Sequence, residues 1–116
     1  MIQVRRAADG HVLLTRVRRC RTISGLAWGF MFRRRLRPGE GRLWALWPGM
    51  PVGIHMYWVF CHLGVIWLDA QRRVVAKTVA RSWRAYHPSV AASYILEGPP
   101  ALAEQVQVGE ALEWEG

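Results

Sequence analysis

The residues best suited to chemistry crowd into one stretch, residues 53–67, GIHMYWVFCHLGVIW. It holds His55, Cys61 and His62 and no Lys, Arg, Asp or Glu. Imidazole and thiolate are common zinc ligands, and a thiol beside a histidine is the minimal pair for thiolate catalysis. The spacing disfavours both. On one extended strand His55 and Cys61 share a face but lie about 20 Å apart. His62 points the opposite way, and the nearest following carboxylate is Asp69. A tight turn would be needed to regroup the three. A metal or catalytic centre on His55, Cys61 and His62 is therefore kept only as a third option.

Other chemistry-bearing residues lack partners in sequence. Ser24, Ser82, Ser89 and Ser93 sit in no G-x-S-x-G context. Gly39-Glu40-Gly41 is too short for a phosphate-binding loop motif. The sequence names no catalytic residue, no resident metal and no cofactor, and the expectation leans away from an enzyme.

The element carrying the opening stretch decides its meaning. The uncharged run covers residues 43–68, long enough to span a membrane as a helix, for which about 20 residues suffice. Pro48, Gly49, Pro51, Gly53 and Gly64 interrupt it, and aromatic and β-branched residues dominate, which suits strands. Ile54, Met56, Trp58 and Phe60 would share one face, and His55, Tyr57, Val59 and Cys61 the other. Both faces are largely apolar, as for a central strand covered on both sides. Gly64 is expected to mark a turn or bulge before a second strand over 65–68. No membrane span is expected.

The same strand logic covers most of the chain. Residues 12–18 partly alternate apolar and polar, and Asp9-Gly10 predicts a hairpin with residues 2–7. Thr22 and the apolar spacing of 23–34 predict a short helix, weakened by Gly25 and Gly29. A strand over 42–47 should be broken by Pro48-Gly49-Met50-Pro51. Asp69-Ala70-Gln71-Arg72 reads as a hairpin loop, 73–79 as a strand, 80–91 as an exposed loop and 93–97 as a strand. Pro99-Pro100 precedes a helical turn, ALAEQ, and a short strand closes at 111–114. Many short strands with one or two short helices point to a mainly β fold: a small β-sandwich or distorted, jelly-roll-like barrel. At 116 residues one domain is expected.

Charge is asymmetric. The chain carries 16 basic and 8 acidic residues, net +8, and 15 of the 16 are Arg. All 16 fall within residues 1–84, while 85–116 hold five Glu and no Lys or Arg. Such a dipole can face an anionic partner or neutralise itself. A GC-rich genome also produces arginine-heavy usage without selection for binding. Two cysteines, Cys20 and Cys61, form no disulfide framework, and the N-terminal stretch has no apolar run of signal-peptide length. The expectation is a cytoplasmic bacterial protein with reduced thiols.

These residues also carry a resemblance. IHMYWVFCHLGVIWLD followed by RRVV is similar to the central motif of the prokaryotic family called "domain of unknown function 192". GFMFRRRLRPGEG resembles its upstream motif, and SYILEGPPALAEQVQVGEALEW its closing one. The likeness implies a compact, mostly β fold and no established activity. Gly29, Met31 and Arg33 match the first motif, and Gly41 the glycine before the next strand. His55, Trp58 and Asp69 match the central motif, and Leu96, Glu97 and Gly109 the closing one. Phe60, His62 and Gly64 depart from the family's basic residue, Pro and Asp. Pro99-Pro100-Ala101 replaces its Pro-Ala-Gly.

The expected function is a ligand-binding or protein-interaction module with an acidic ligand or protein as partner. Its candidate binding residues are Arg33, His55, Trp58, Asp69 and Glu97, and Gly29, Met31, Gly41 and Gly109 are structural. Nucleic acid is the second reading. It rests on Arg5, Arg6, Arg16, Arg18, Arg19, Arg21, Arg33, Arg34, Arg35, Arg37 and Arg42, with Trp28 and Trp44 nearby.

Overall fold

The computed structural model describes residues 1–20, 36–50, 54–55, 61–86 and 91–115, with backbone only at 47–50 and 54–55. Seven strands form one curled mixed sheet. They are β1 (Ile2–Arg6), β2 (Val12–Cys20), β3 (Glu40–Met50), β5 (Leu63–Leu68), β6 (Val74–Ala80), β8 (Ala92–Gly98) and β9 (Leu112–Glu113). Their order is β6-β5-β8-β3-β2-β1-β9. A small second sheet pairs β4 (Ile54–His55) with β7 (Ala85–Tyr86). One helix, α1 (Ala101–Gln105), follows Pro99-Pro100. The expected mainly β, barrel-like fold is present as a half-barrel.

Local signals set the turns. Gly10 takes φ 71° in the β1–β2 hairpin, a conformation glycine adopts without steric cost. At the β5–β6 hairpin the Asp69 carboxylate accepts from Gln71 N and Arg73 N, both at 2.9 Å. That is how Asp commonly closes a turn, and it lets Arg72 sit at φ 64°.

The sheet nearly closes at one end. Val74 N donates to Glu110 O at 2.8 Å, and Gly109 N to Val74 O at 2.8 Å. Gly109, at φ 96°, is the residue that allows this approach. Arg72 stacks over the Trp114 ring at 4.1 Å and donates to Trp114 O. Tyr94 meets the same ring edge-on, with centroids 5.1 Å apart.

Both faces of the sheet are apolar near its centre. One carries Val4, Leu14, Val17, Leu43, Ile66, Leu96 and Trp114, and α1 adds Leu102 to it. The other carries Trp44, Leu46, Leu63, Val65, Trp67 and Ile95. Every residue of β5 is buried. Within the opening stretch, residues 63–67 thus belong to a strand covered on both faces. The first half of the stretch supplies β4, and residues 56–60 lie outside the described ones.

Three expectations are corrected. Gly64 marks no turn; it lies inside β5, paired with Val79 and Gly98. A Cβ there would stand 2.5 Å from Pro99 O and 3.1 Å from Leu102 Cβ, so glycine lets α1 sit on the sheet. Pro48 does not end its strand: β3 runs to Met50, and the pairing with β8 is irregular between Ala45 and Met50. A ladder already interrupted there loses little from a missing N–H. Residues 80–91 are not all loop, since they contain β7. The expected helix over 23–34 lies outside the described residues.

Candidate functional site

The pairing of β2 with β3 is parallel, unlike the other strand pairs of the large sheet. Its register sets Arg16 beside Glu40, Arg18 beside Arg42 and Cys20 beside Trp44. Arg16 and Arg18 flank Val17, which enters the core, so their side chains leave by the opposite face. The turn before β3 adds Arg37. Its backbone N donates to Glu40 Oε1 at 2.9 Å, which fixes the turn against the start of the strand.

These residues line a cleft of about 250 Å³, bounded by Met1, Arg16, Arg18, Arg37, Glu40, Gly41 and Arg42. From the described residues it presents four guanidinium groups and a single carboxylate. The rest of the charge dipole is spent elsewhere. Arg5 Nε pairs with Glu113 at 3.3 Å, and Arg6 pairs with Asp9 at 2.9 Å and Glu110 at 3.0 Å. Among the described residues no salt bridge of this set uses Arg16, Arg18 or Arg37. The acidic C-terminal part thus neutralises β1 and leaves the β2–β3 cleft positive.

Gly41 has a steric reason at this seam. A Cβ would lie 2.7 Å from Glu97 O and 2.7 Å from Leu14 Cδ1. The glycine brings β3 tight against the strand that carries Glu97.

Glu97 is the buried acid of the protein, 5 % exposed. It stands opposite Arg42 across the β3–β8 pair and opposite Val65 across β5–β8. Trp44 Nε1 donates to Glu97 Oε1 at 2.6 Å. Burial pushes the carboxyl up to about 7; the indole N–H and the Arg42 charge pull the other way. A carboxylic acid poised there changes charge in the ordinary pH range.

The sequence-predicted site residues do not form one cluster in the described part. Asp69 lies four residues beyond Val65 on β5, about 13 Å along the strand from the Glu97 row. Its carboxylate is taken up by the hairpin turn. His55 is placed by its backbone pairing with Ala85. Arg33, Trp58, Gly29 and Met31 lie outside the described residues. Cys20 and Cys61 are not joined in a disulfide. Among the described residues no three of His, Cys, Asp and Glu lie close enough to hold a metal ion. No helix among them is long and apolar enough to cross a membrane. Among the described binding candidates only Glu97 adjoins the cleft, through its position opposite the lining residue Arg42. The sequence reading placed Arg16, Arg18, Arg37 and Arg42 in a diffuse basic surface. It missed the parallel seam that gathers them, whose only sequence trace is the long stretch between β2 and β3.

Comparison with known proteins supports the fold and the family. A structure from Sinorhizobium meliloti 1021, labelled provisionally a transcription regulator, superposes with a TM-score of 0.83 at 21% identity, covering 97% of this chain and 91% of that one. A protein of unknown function from Novosphingobium aromaticivorans gives 0.80 at 24% identity, covering 97% and 83%. A UPF0127 protein of Pyrococcus abyssi is 37% identical over 92 residues, 76% of each chain. One from Thermococcus kodakarensis is 44% identical over 63 residues, 53% of this chain but 40% of its own. The matched part spans about two fifths of the length of that protein and of a UPF0127 protein from Thermococcus gammatolerans. These relatives are archaeal, so they lend no support to a bacterial source. With the family model matched over residues 4–114, the chain belongs to the family DUF192, described as "Uncharacterized ACR, COG1430".

Proposed function

We propose that this protein is a one-domain ligand-binding module whose β2–β3 cleft receives a small anionic group, a carboxylate or a phosphate. The observation that carries this reading is the convergence of Arg16, Arg18, Arg37 and Arg42 on one cleft of about 250 Å³ with Glu40 as its single acid. Guanidinium forks match carboxylate and phosphate oxygens in pairs of hydrogen bonds. Glu40, held against the turn, is placed to accept from a hydroxyl of the same ligand.

The volume favours a compact anion over a polymer. A nucleic-acid site of the single-strand kind also needs aromatic faces for bases; of the described tryptophans, Trp44, Trp67 and Trp114 are buried in the sheet, and the exposed Trp83 does not line the cleft. The provisional label of the Sinorhizobium neighbour does not alter this, since that likeness rests on fold. A binding role also fits the chemistry at hand, because the cleft pairs no nucleophile with a base. A cytoplasmic setting belongs to the reading, in keeping with Cys20 and Cys61 not being joined in a disulfide.

The test is an amide NMR titration with inorganic phosphate, pyrophosphate and malonate, beside a short single-stranded oligonucleotide. Saturable shifts confined to residues 15–19 and 37–42, lost in an Arg16→Gln/Arg18→Gln variant, are the expected result. Absence of saturable shifts there with every small anion would overturn the reading. Preferential, steeply salt-dependent oligonucleotide binding would overturn it in favour of nucleic acid.

A further inference from the structure

Resting on the anion-cleft reading, we infer that capture of an anion between β2 and β3 is coupled to uptake of one proton by Glu97. The strand registers place Val65, Glu97, Arg42 and Arg18 in one cross-strand row, on β5, β8, β3 and β2 in turn. Directly opposed side chains on antiparallel neighbours stand about 5 Å apart. Glu97 therefore sits one strand from Arg42 and two from Arg18. Both arginines line the cleft, whereas Glu97 is buried beside Arg42 in the same row.

Among the described residues, the surroundings of the carboxyl are set strand by strand. From β3 it faces Arg42 and the Trp44 indole. From β5 it faces Val65, with Leu63 and Trp67 to either side; from its own strand Ile95 shares the face. From β2 and the turn before β3 the charged groups on this side are Arg16, Arg18, Arg37 and Glu40. On β6, Thr78 lies in the same row and Ala80 beyond it, while Lys77 reaches the other way to Ala103 O and Val106 O of α1. His62, before β5, is exposed.

An ionised Glu97 cancels part of the Arg42 charge that an entering anion meets. A protonated Glu97 lifts that cancellation. Anion and ionised carboxylate thus compete for one guanidinium, and the bound anion favours the acid form. The exchange is balanced by one O–H bond: the anion enters, a solvent proton goes to Glu97, and a rise in pH reverses both. Burial already holds Glu97 near the middle of the physiological range, so the coupling operates where a cell's pH varies.

The experiment uses sulfate, which keeps both charges across the range, titrated into the intact chain at about pH 6 and about pH 8 in buffers of different ionisation enthalpy. Wild type should bind roughly three- to tenfold more tightly at the lower pH, with net proton uptake. Glu97→Gln should bind at both pH values within about twofold of the wild-type low-pH affinity. In labelled wild type the Glu97 carboxyl resonance should titrate at higher pH with sulfate than without, which tests the coupling even if the variant misfolds. Sulfate binding with equal affinity at both pH values, or a pH dependence that survives in Glu97→Gln and so belongs to a histidine, overturns the inference and leaves the cleft reading standing. No sulfate binding at either pH overturns the inference, and the cleft reading falls with it only if phosphate, pyrophosphate and malonate also fail to bind.

Discussion

The Trp44 indole donates its N–H to Glu97 Oε1 at 2.6 Å across the β3–β8 pair, on the sheet face that leads to the basic cleft. Trp44 is opposed to Ile95 and Arg42 to Glu97, so the bond runs on the diagonal between neighbouring rows. It satisfies a carboxyl that would otherwise be buried among Val65, Trp67 and Ile95. Burying such a group without a donor costs a few kcal/mol.

Replacing this donor should therefore destabilise most when the acid is charged. Trp44→Phe keeps much of the apolar contact but leaves Glu97 without the N–H. The expected loss is about 1–3 kcal/mol at pH 8 and clearly less at pH 5. Urea unfolding at the two pH values measures it. An equal loss at both would show that the bond does not serve the ionised form.

The raised position of Glu97 also has a stability signature. As pH rises through the ordinary value of 4.5 the unfolded chain releases this proton, while the folded chain keeps it until about 7. The folded state holds more protons across that window, so stability falls with rising pH and levels off above it. Glu97→Gln lacks the group. Wild type should lose about 1–3 kcal/mol relative to the variant between pH 4.5 and 7.5. Thermal or urea unfolding of both proteins across that range checks the sign.

How much of this was legible in the sequence depended on distance along the chain. The Asp9-Gly10 hairpin, the Asp69 turn and the helical turn after Pro99-Pro100 were readable, because each is set by residues a few positions apart. The basic cleft was not, because it depends on a parallel pairing across a long connection that no local pattern announces. Trp44 and Glu97 are 53 positions apart and meet only through that arrangement of strands. Gly64 also misled the reading. A continuous apolar run does not say which part is the covered strand, and Gly64 looked like punctuation although it answers to α1 above it.

Asp69 offers a direct contrast between a turn former and a ligand-binding residue. Asp69→Ala removes the acceptor for Gln71 N and Arg73 N. A loss of about 1 kcal/mol is expected, with sulfate and phosphate affinity unchanged within twofold. Calorimetry on the folded variant tells the two roles apart: a large fall in anion affinity would bring Asp69 into the site.

Lys77 is the one lysine of the chain, and its ammonium donates to Ala103 O and Val106 O, both at 2.8 Å. It thus supplies the cation that suits the C-terminal end of α1, whose last turn holds no basic residue of its own. Lys77→Met keeps much of the stem but removes both bonds. About 1–2 kcal/mol should be lost, with faster amide exchange at Leu102 and Ala103, whose N–H groups close the first turn of α1. Unchanged exchange there would mean that packing of Leu102 alone holds the helix.

Arg18 and Arg19 separate a built cleft from a generally basic surface. Both are exposed, and they are adjacent on β2. Only Arg18 lines the cleft, in register with Arg42, whereas Arg19 leaves by the other face in register with Leu43. Arg18→Gln and Arg19→Gln remove the same charge at nearly the same place, so long-range electrostatics change almost equally. A lost guanidinium fork is worth about 1–2 kcal/mol where it binds directly. Arg18→Gln should therefore weaken phosphate binding by about five- to thirtyfold, and Arg19→Gln by less than about twofold. NMR titrations of the two variants decide. Equal weakening in both would mean that the anion samples a diffuse positive surface, and the register of β2 against β3 would then carry no specificity.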